Sequence, residues 1–206
     1  MYVAMVRHPE PDVESSLYLH HIKKGSVVIE VGSNKGAFTR LLSIAVGLDG
    51  KVYALEPNRI SYAIMKRYTR GCKNVRPANV GLGSRVAESR GLWAGGPTDK
   101  AASSNSPGAH YIQLACEFTT LDNFVRHCNL ARLDAMIIDA EGSESEILQG
   151  ANETLVAYPN ANILMEIHHP HTVDEIARLL FKLTGNSYRI EIISKSYDTI
   201  SCEFSI

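Results

Sequence analysis

The 206-residue sequence lacks the features that mark secreted, membrane-spanning or zinc-binding proteins. Its four cysteines are far apart and form no Cys-x-x-Cys pair, which argues against a zinc cluster and favours a reducing cytoplasm. No apolar run approaches the roughly 18 residues of a membrane span, and the first residues do not resemble a signal peptide. A net charge of −1 gives no electrostatic reason to expect nucleic acid or membranes as partners. We therefore expect a cytoplasmic protein.

What is present is the composition of an ordinary globular domain, with 45% hydrophobic and 21% charged residues. The length predicts a single domain over residues 1–206. Residues 1–22 are expected to form a loose N-terminal arm followed by a short helix. Residues 84–110 are rich in Gly, Ser, Pro and Asn, which predicts a surface loop or short hairpin, placed where it can act as a lid.

The clearest local pattern is a strand, a glycine turn and a helix between residues 27 and 42. The apolar run that begins at Val27 predicts a buried strand, and this strand ends in the acidic residue Glu30. The following turn carries Gly32, Asn34 and Gly36, and its glycines let the backbone approach a ligand closely. Free N–H groups at the start of the next helix would add to such a site.

The spacing of this turn argues against a dinucleotide. The fingerprint G-x-G-x-x-G requires glycine where this chain has Asn34. The Glu30 carboxylate would repel a pyrophosphate, but it suits a ligand with a cationic amino-acid end, such as S-adenosylmethionine (SAM). A bare strand-to-helix turn without a ligand stays open as the alternative, because glycine motifs taken alone are weak.

A second acidic residue follows the next predicted strand at the spacing expected for a ribose contact. Glu56 lies 20 residues after Gly36 and directly after the strand predicted over residues 51–55. A carboxylate at this point can accept hydrogen bonds from both ribose hydroxyls. The alternative is a helix-capping or solvated acid.

Strands alternate with helices along the chain, which predicts a three-layer, doubly wound α/β fold. The last two predicted strands are joined by the hairpin-like turn SKSYD, so the sheet should end in an antiparallel pair. Ligands bind beyond the carboxyl ends of the strands in such sheets. The candidate residues at those ends are Glu30, Glu56, residues 79–83, Asp139 and Glu166.

Six segments follow one another in the order found in a known family. They are IKKGSVVIEVGSNKGAFTRLL, ALEPN, NVGLGS, FTTLDNFV, IIDAEGSESEILQGANETL and ILMEIH. Together they span residues 22–168 and resemble the FkbM-type SAM-dependent methyltransferases. The resemblance implies the class I methyltransferase fold, a Rossmann-like, mostly parallel seven-stranded sheet with an antiparallel terminal strand. It also implies methylation of a hydroxyl on a sugar, another small molecule or a glycan.

The resemblance assigns roles to particular positions. Residues of the first two turns would hold the methionine end and the ribose of SAM. Residues after the third strand would line the adenine, and those after the fourth would face the sulfonium and the methyl acceptor. The SAM-binding positions implied in this way are Glu30, Gly32, Asn34, Gly36, Glu56, Asn58, Asn79, Gly81, Leu82, Asp139 and Glu141.

An alcohol acceptor must lose a proton, so we expect a general base near the transferred methyl group. The candidate catalytic residues are Asp139, His168 and His169, since imidazole titrates near neutral pH. A helix-capping or surface role is the alternative for either histidine. Asp139, Glu166 and His168 also offer oxygen and nitrogen ligands, so a Mg²⁺-like ion that lowers the pKa of the acceptor is a further alternative.

Two departures from the family pattern limit the prediction. Glu30 stands where aspartate is commoner, and the short N-terminus leaves little chain for an acceptor-binding cap, which a homo-oligomer partner would then supply. Three classes of function stay open: an O-methyltransferase, which we favour, an inactive SAM-binding subunit or sensor, and an NAD-dependent oxidoreductase, which Asn34 and Glu30 disfavour. The sequence IIDAEG, in place of an N-P-P-Y-like motif, argues against amide and nucleobase amine acceptors.

Overall fold

The computed structural model describes residues 3–7, 18–94, 102–103, 112–168, 172–195 and 199–206. The strands are β1 (Val3–Arg7), β2 (Val27–Val31), β3 (Lys51–Leu55), β4 (Val75–Ala78), β5 (Gly81–Leu82), β6 (Ala87–Ala94), β7 (Ala102–Ser103), β8 (Ile112–Thr119), β9 (Ala135–Asp139), β10 (Asn162–His168), β11 (Arg189–Lys195) and β12 (Thr199–Ser205). The helices are α1 (Ala37–Val46), α2 (Arg59–Tyr68), α3 (Leu121–His127), α4 (Glu144–Gln149), α5 (Asn152–Ala157) and α6 (Val173–Thr184). In this part of the chain no helix has the length and apolarity needed to cross a membrane.

The main sheet has the strand order β1-β11-β12-β10-β9-β2-β3-β4. β12 runs antiparallel to β10 and β11, and the other neighbouring pairs are parallel. The predicted seven-stranded sheet with an antiparallel terminal strand is therefore confirmed. β1 adds an eighth strand beside β11, so residues 3–7 are not the loose arm that the two prolines after them suggest. Backbone groups at the edge of β11 would otherwise be unpaired, which favours this addition.

Helices cover both faces of the main sheet because its strands are apolar on both sides. Val28 packs with Leu42 of α1 and Met65 of α2 on one face. Its neighbour Ile29 packs on the opposite face, in a cluster that includes Ile147 of α4. Successive residues of a strand point to opposite faces. A strand whose residues are all buried therefore needs helices on both faces of the sheet, which gives the three-layer fold.

A second, smaller sheet has the order β5-β8-β6-β7. The sequence predicts a strand over residues 111–118, and the structure has β8 there, as part of this second sheet. Within residues 84–110, β6 and β7 pair antiparallel, which is the hairpin alternative of the prediction. Residues 95–101 and 104–111 lie outside the described residues, as does most of the helix predicted to end at Ile22. The lid role of residues 84–110 stays a prediction.

The apolar positions from Ile147 to Leu155 predict one helix that begins after Ser143 and ends before Pro159, but two short helices, α4 and α5, meet at Gly150. The backbone of Gly150 lies against the Gly83 carbonyl, where a Cβ would overlap the oxygen. The start of α5 is capped from outside, since the Asp122 carboxylate accepts hydrogen bonds from the Glu153 and Thr154 N–H groups at 3.1 and 2.8 Å. This contact between α3 and α5 interrupts the helical pattern.

Ser143 and Glu146 have the spacing of a capping box, but that prediction is wrong, because the Ser143 side chain makes no capping hydrogen bond. A complete capping box occurs instead at the start of α6. There Thr172 accepts from the Glu175 N–H, and the Glu175 carboxylate accepts from the Thr172 N–H. The first turn of α4 instead buries the side chain of Glu144.

Replacing Gly150 by alanine should destabilise the protein by about 1–3 kcal/mol, because the new methyl group overlaps the Gly83 carbonyl. The measurement is the free energy of unfolding in urea. Gly71→Ala is the matched control, since no atom lies within 4 Å of a Cβ added there, and it should change stability by less than about 1 kcal/mol. Equal effects of the two substitutions would contradict the close approach.

Candidate active site

The carboxyl ends of four parallel strands bring the predicted residues to one edge of the main sheet. In the register of the sheet Glu30 of β2 lies beside Ala54 of β3 and Ile137 of β9. Asp139 of β9 lies beside Glu166 of β10. The chain therefore places its strand-end acids where doubly wound sheets bind ligands.

The turn after β2 has a backbone that only glycine allows at its tightest point. Gly32 has φ of +88°, and a Cβ on it would overlap the carbonyl oxygen of Asp139 at the end of β9. Gly36, with φ of +84°, packs against Met65 of α2. Asn34 also lies in the left-handed region, with φ of +46°. These conformations aim the turn and the start of α1 at the open edge.

Glu30 is buried beneath this turn. One of its carboxylate oxygens accepts a hydrogen bond from the Thr39 hydroxyl of α1 at 2.7 Å, and its backbone carbonyl accepts from the Ser33 hydroxyl at 3.3 Å. Burial raises the pKa of Glu30 to about 7 in spite of these hydrogen bonds. The carboxyl group thus supports the turn from inside, and its contact with the methionine end of SAM stays a prediction.

Glu56 is also buried, and it connects the first two turns. Its two carboxylate oxygens accept hydrogen bonds from the backbone N–H groups of Asn34, at 2.8 Å, and Asn58, at 2.7 Å. Burial raises the pKa of Glu56 to about 7, although both hydrogen bonds act to lower it. The Asn79 side chain donates to the backbone carbonyl of Glu56 at 2.7 Å, which ties the end of β4 to the same point.

Several positions implied to bind SAM have structural roles in the protein. The Asn58 side chain caps α2 by accepting from the Ile60 N–H at 2.9 Å. Gly81 lies against the Phe118 ring, where any Cβ would overlap the ring. The Leu82 side chain is buried in the core, so at Gly81 and Leu82 the backbone is the part able to line an adenine. Their part in SAM binding stays a prediction.

At the same edge of the main sheet, His168 lies at the centre of a cluster of carboxylates. We use the name His168 cluster for Asp139, Glu141, Glu144, Glu166 and His168. Nδ1 of His168 donates to Glu144 Oε1 at 2.9 Å, and Nε2 lies 3.4 Å from Glu141 Oε2 and 3.8 Å from Asp139 Oδ1. Glu166 Oε1 is 4.0 Å from Nε2. The second predicted histidine, His169, lies outside the described residues.

Glu144 is the functional candidate that sequence reasoning missed. Its side chain is fully buried, and the same oxygen that meets His168 also accepts from the Gly142 N–H at 2.9 Å. Glu141 and Gly142 both have positive φ, so this hydrogen bond stabilises the turn that presents Glu141. The signal was present in the spacing D-x-E-x-x-E from Asp139, whose third acid lies at the first position of α4.

The cluster changes the charge states of its members. Burial alone would lower the pKa of His168, but the hydrogen bond to Glu144 and the surrounding carboxylates outweigh it and raise that pKa to about 9. Burial, followed by the charge of Glu166, raises the pKa of Asp139. His168 is therefore a cation at neutral pH and unable to accept a proton there, which leaves Asp139 as the stronger candidate for the base.

The predicted metal ligands fit Mg²⁺ poorly. Ligand atoms of Asp139, Glu141 and His168 lie within 4.8 Å of one another, whereas Glu166, which was predicted, is not in this group. Mg²⁺ prefers an octahedron of oxygen atoms, and imidazole suits transition metals better. Nδ1 of His168 is occupied by Glu144, so a metal could use Nε2 alone.

The family model of the methyltransferase FkbM domain matches residues 30–190. The chain belongs to the FkbM methyltransferase family. This FkbM protein is therefore a SAM-dependent methyltransferase, and the resemblance drawn from its sequence is confirmed. Among curated proteins none matches the chain.

Solved structures share the fold at low sequence identity. Fibrillarin from Aeropyrum pernix, solved with SAM bound, has a TM-score of 0.61 at 12% identity, covering 95% of this chain and 74% of its own. A SAM-dependent methyltransferase from Aquifex aeolicus has a TM-score of 0.55 at 16% identity, covering 96% and 94%. A SAM-dependent O-methyltransferase from Thermotoga maritima has a TM-score of 0.56 at 14% identity, covering 97% and 67%. These likenesses establish the fold.

Glu144→Gln should lower the pKa of His168 from about 9 toward its ordinary value, because the charge that stabilises the imidazolium is removed. NMR titration of His168, assigned by the loss of its signal in His168→Asn, measures the shift. The folded pKa lies above the unfolded value of 6.5, so this contribution to stability is complete below pH 6.5 and is lost as pH rises through about 9. As the pH rises from 6.5 to about 9, the free energy of unfolding should therefore fall less in Glu144→Gln than in the unsubstituted protein.

Glu146→Gln is the matched control, since it removes the same charge from the same helix without removing the hydrogen bond to Nδ1 of His168. It should leave the pKa of His168 near the value of the unsubstituted protein. An equal shift in both variants would show that general charge, and not the Glu144 contact, governs the imidazole.

Proposed function

We propose that this protein transfers a methyl group from SAM to a hydroxyl of a sugar, another small molecule or a glycan. The observation that carries the proposal is the position of Asp139. Its Oδ1 atom is buried without a hydrogen-bond partner in the described part of the chain, at the sheet edge beside the predicted SAM turn. The rest of the Asp139 side chain is exposed, so its other carboxylate oxygen is open to an acceptor and suits the removal of a hydroxyl proton.

The first two turns supply the cofactor half of this proposal. Glu56 lies where the ribose hydroxyls of SAM would donate hydrogen bonds, and Glu30 supports the turn for the methionine end. Because burial raises the pKa of both groups to about 7, each holds a proton for part of the time near neutral pH. A ligand that brings hydroxyl donors and a positive charge favours their ionised forms.

The His168 cluster supplies the acceptor half. SAM, when bound, would supply a methyl group already activated by its sulfonium, and the break of the methyl–sulfur bond would leave S-adenosylhomocysteine as the neutral thioether. Asp139 takes the hydroxyl proton as the acceptor oxygen gains the methyl group, and its raised pKa makes it a stronger base than an ordinary aspartate. The cation on His168 stabilises the ionised form of Asp139. Holding the acceptor oxygen close and in line contributes further, since alignment removes much of the entropic barrier.

Glu56→Ala should weaken SAM binding by about 10- to 100-fold, because hydrogen bonds to a charged acceptor are lost. Isothermal titration calorimetry measures the affinity. Asp49→Ala, which removes an exposed carboxylate after α1, should leave the affinity unchanged. An unchanged affinity in Glu56→Ala would contradict the ribose assignment.

Asp139→Asn should reduce methyl transfer roughly 100-fold or more while it preserves most of the SAM affinity, since the amide cannot take up the hydroxyl proton. The assay is a panel of sugar and small-molecule hydroxyl acceptors with radiolabelled SAM, run with and without Mg²⁺. SAM binding without turnover on any acceptor would favour the inactive subunit or sensor. Full turnover by Asp139→Asn would remove Asp139 from the mechanism.

A further inference from the structure

Helix α1 is apolar on the side that faces away from the sheet as well as on the side that packs against it. Leu42 and Val46 are buried in the core, whereas Leu41 and Ile44, and Leu48 just beyond the helix, are exposed. Arg40 is the one charged residue of α1. A helix that is apolar all round is normally covered on every side. We therefore expect a binding partner to cover the outer side of α1.

Helix α2 continues this surface. The guanidinium of Arg40 lies 5.3 Å from the centre of the Tyr68 ring, which shows that the outer sides of α1 and α2 adjoin. We use the name apolar face for six side chains that are between 42% and 85% exposed: Leu41, Ile44, Leu48, Ile60, Ile64 and Tyr68. They are six of the ten large apolar side chains exposed in the described residues. Such concentration marks an interaction surface.

The charge on and around α2 has one sign, and the nearest acidic residue of the apolar face is Asp49, beside Leu48. Residues 57–87 contain seven of the 21 Lys and Arg residues and none of the 22 Asp and Glu residues. On the side of α2 away from α1, Lys66, Arg67 and Arg70 line a cavity of about 430 Å³ next to the edge strand β4. None of these three cations has a carboxylate partner within the described ranges. This local excess of positive charge is not apparent from the net charge of −1 of the whole chain.

We propose that the apolar face and the cations of α2 dock this protein on the surface of an anionic lipid bilayer. Aliphatic side chains on two adjoining helices can enter the boundary of the acyl chains, while neighbouring Lys and Arg meet the lipid phosphates. Anionic lipids are abundant in the cytoplasmic leaflet, which agrees with the compartment expected from the cysteines. The proposal departs from the expectation of no membrane partner, and it does not rest on the proposed function.

Other occupants fit the surface less well. A symmetric dimer through this face would bring the cations of both copies into one interface, and α2 carries no acidic residue that could pair with them. Nucleic acid would satisfy the cations, but its bases stack on aromatic rings, and five of the six apolar side chains are aliphatic. An anionic bilayer satisfies both the charge and the aliphatic surface.

The test is flotation of the full chain with vesicles of phosphatidylcholine containing phosphatidylserine, and with vesicles of phosphatidylcholine alone. The protein should float with the anionic vesicles and not with the neutral ones. Ile44→Glu combined with Leu48→Glu should abolish flotation. Arg67→Glu combined with Arg70→Glu should weaken it by about fivefold or more for each cation removed.

Phe181→Glu and Lys182→Glu are the matched controls, because both side chains are exposed on α6, away from this surface. They should float as the unsubstituted protein does, and circular dichroism confirms that every variant folds. Absence of flotation with anionic vesicles, or equal flotation of all variants, would overturn the proposal. A dimer in solution that Ile44→Glu dissociates would also overturn it, since a second copy would then cover the face.

Discussion

The Glu56 carboxyl group joins three of the strand ends that form the active-site edge. It accepts hydrogen bonds from the turn after β2 and from the start of α2, and its backbone carbonyl receives the Asn79 side chain from the end of β4. Burial makes the ionised form of this group costly, and the raised pKa measures that cost. The half of the edge proposed to hold SAM is thus assembled around an acid with no ion pair in the described part of the chain, and hydroxyl donors from a ligand would stabilise the ionised form of this acid.

In the second half of the edge the central group is a cation and not an acid. Here His168 becomes a cation because Glu144, Glu141 and Asp139 surround it. The two halves meet where Gly32 packs on the carbonyl oxygen of Asp139. Since no side chain fits between them, a shift of the cofactor turn would displace the end of β9, and the position of Asp139 depends on the turn that is proposed to hold SAM.

Local patterns predicted the sheet and most of its ligand edge, because alternating strands and helices bring all parallel strand ends together. Glu30, Glu56 and Asp139 follow from that rule alone. The single helix across Gly150 was wrong because tertiary contacts from Gly83 and Asp122 separate α4 from α5. The capping box at Ser143 was wrong because the Ser143 side chain makes no capping hydrogen bond. Glu144 and the apolar face were not predicted, since a buried acid and an uncovered helix side become visible only when the neighbouring elements are in place.

We expect the two buried, partly protonated acids, Glu30 and Glu56, to become ionised when SAM binds. Calorimetric titration of the unsubstituted protein with SAM, in two buffers of different ionisation enthalpy, counts the protons exchanged on binding. Just below pH 7, where Glu30 and Glu56 hold protons, SAM should bind with net release of protons, and NAD should not bind. Binding of NAD in preference to SAM, or binding of SAM with uptake of protons, would contradict the account.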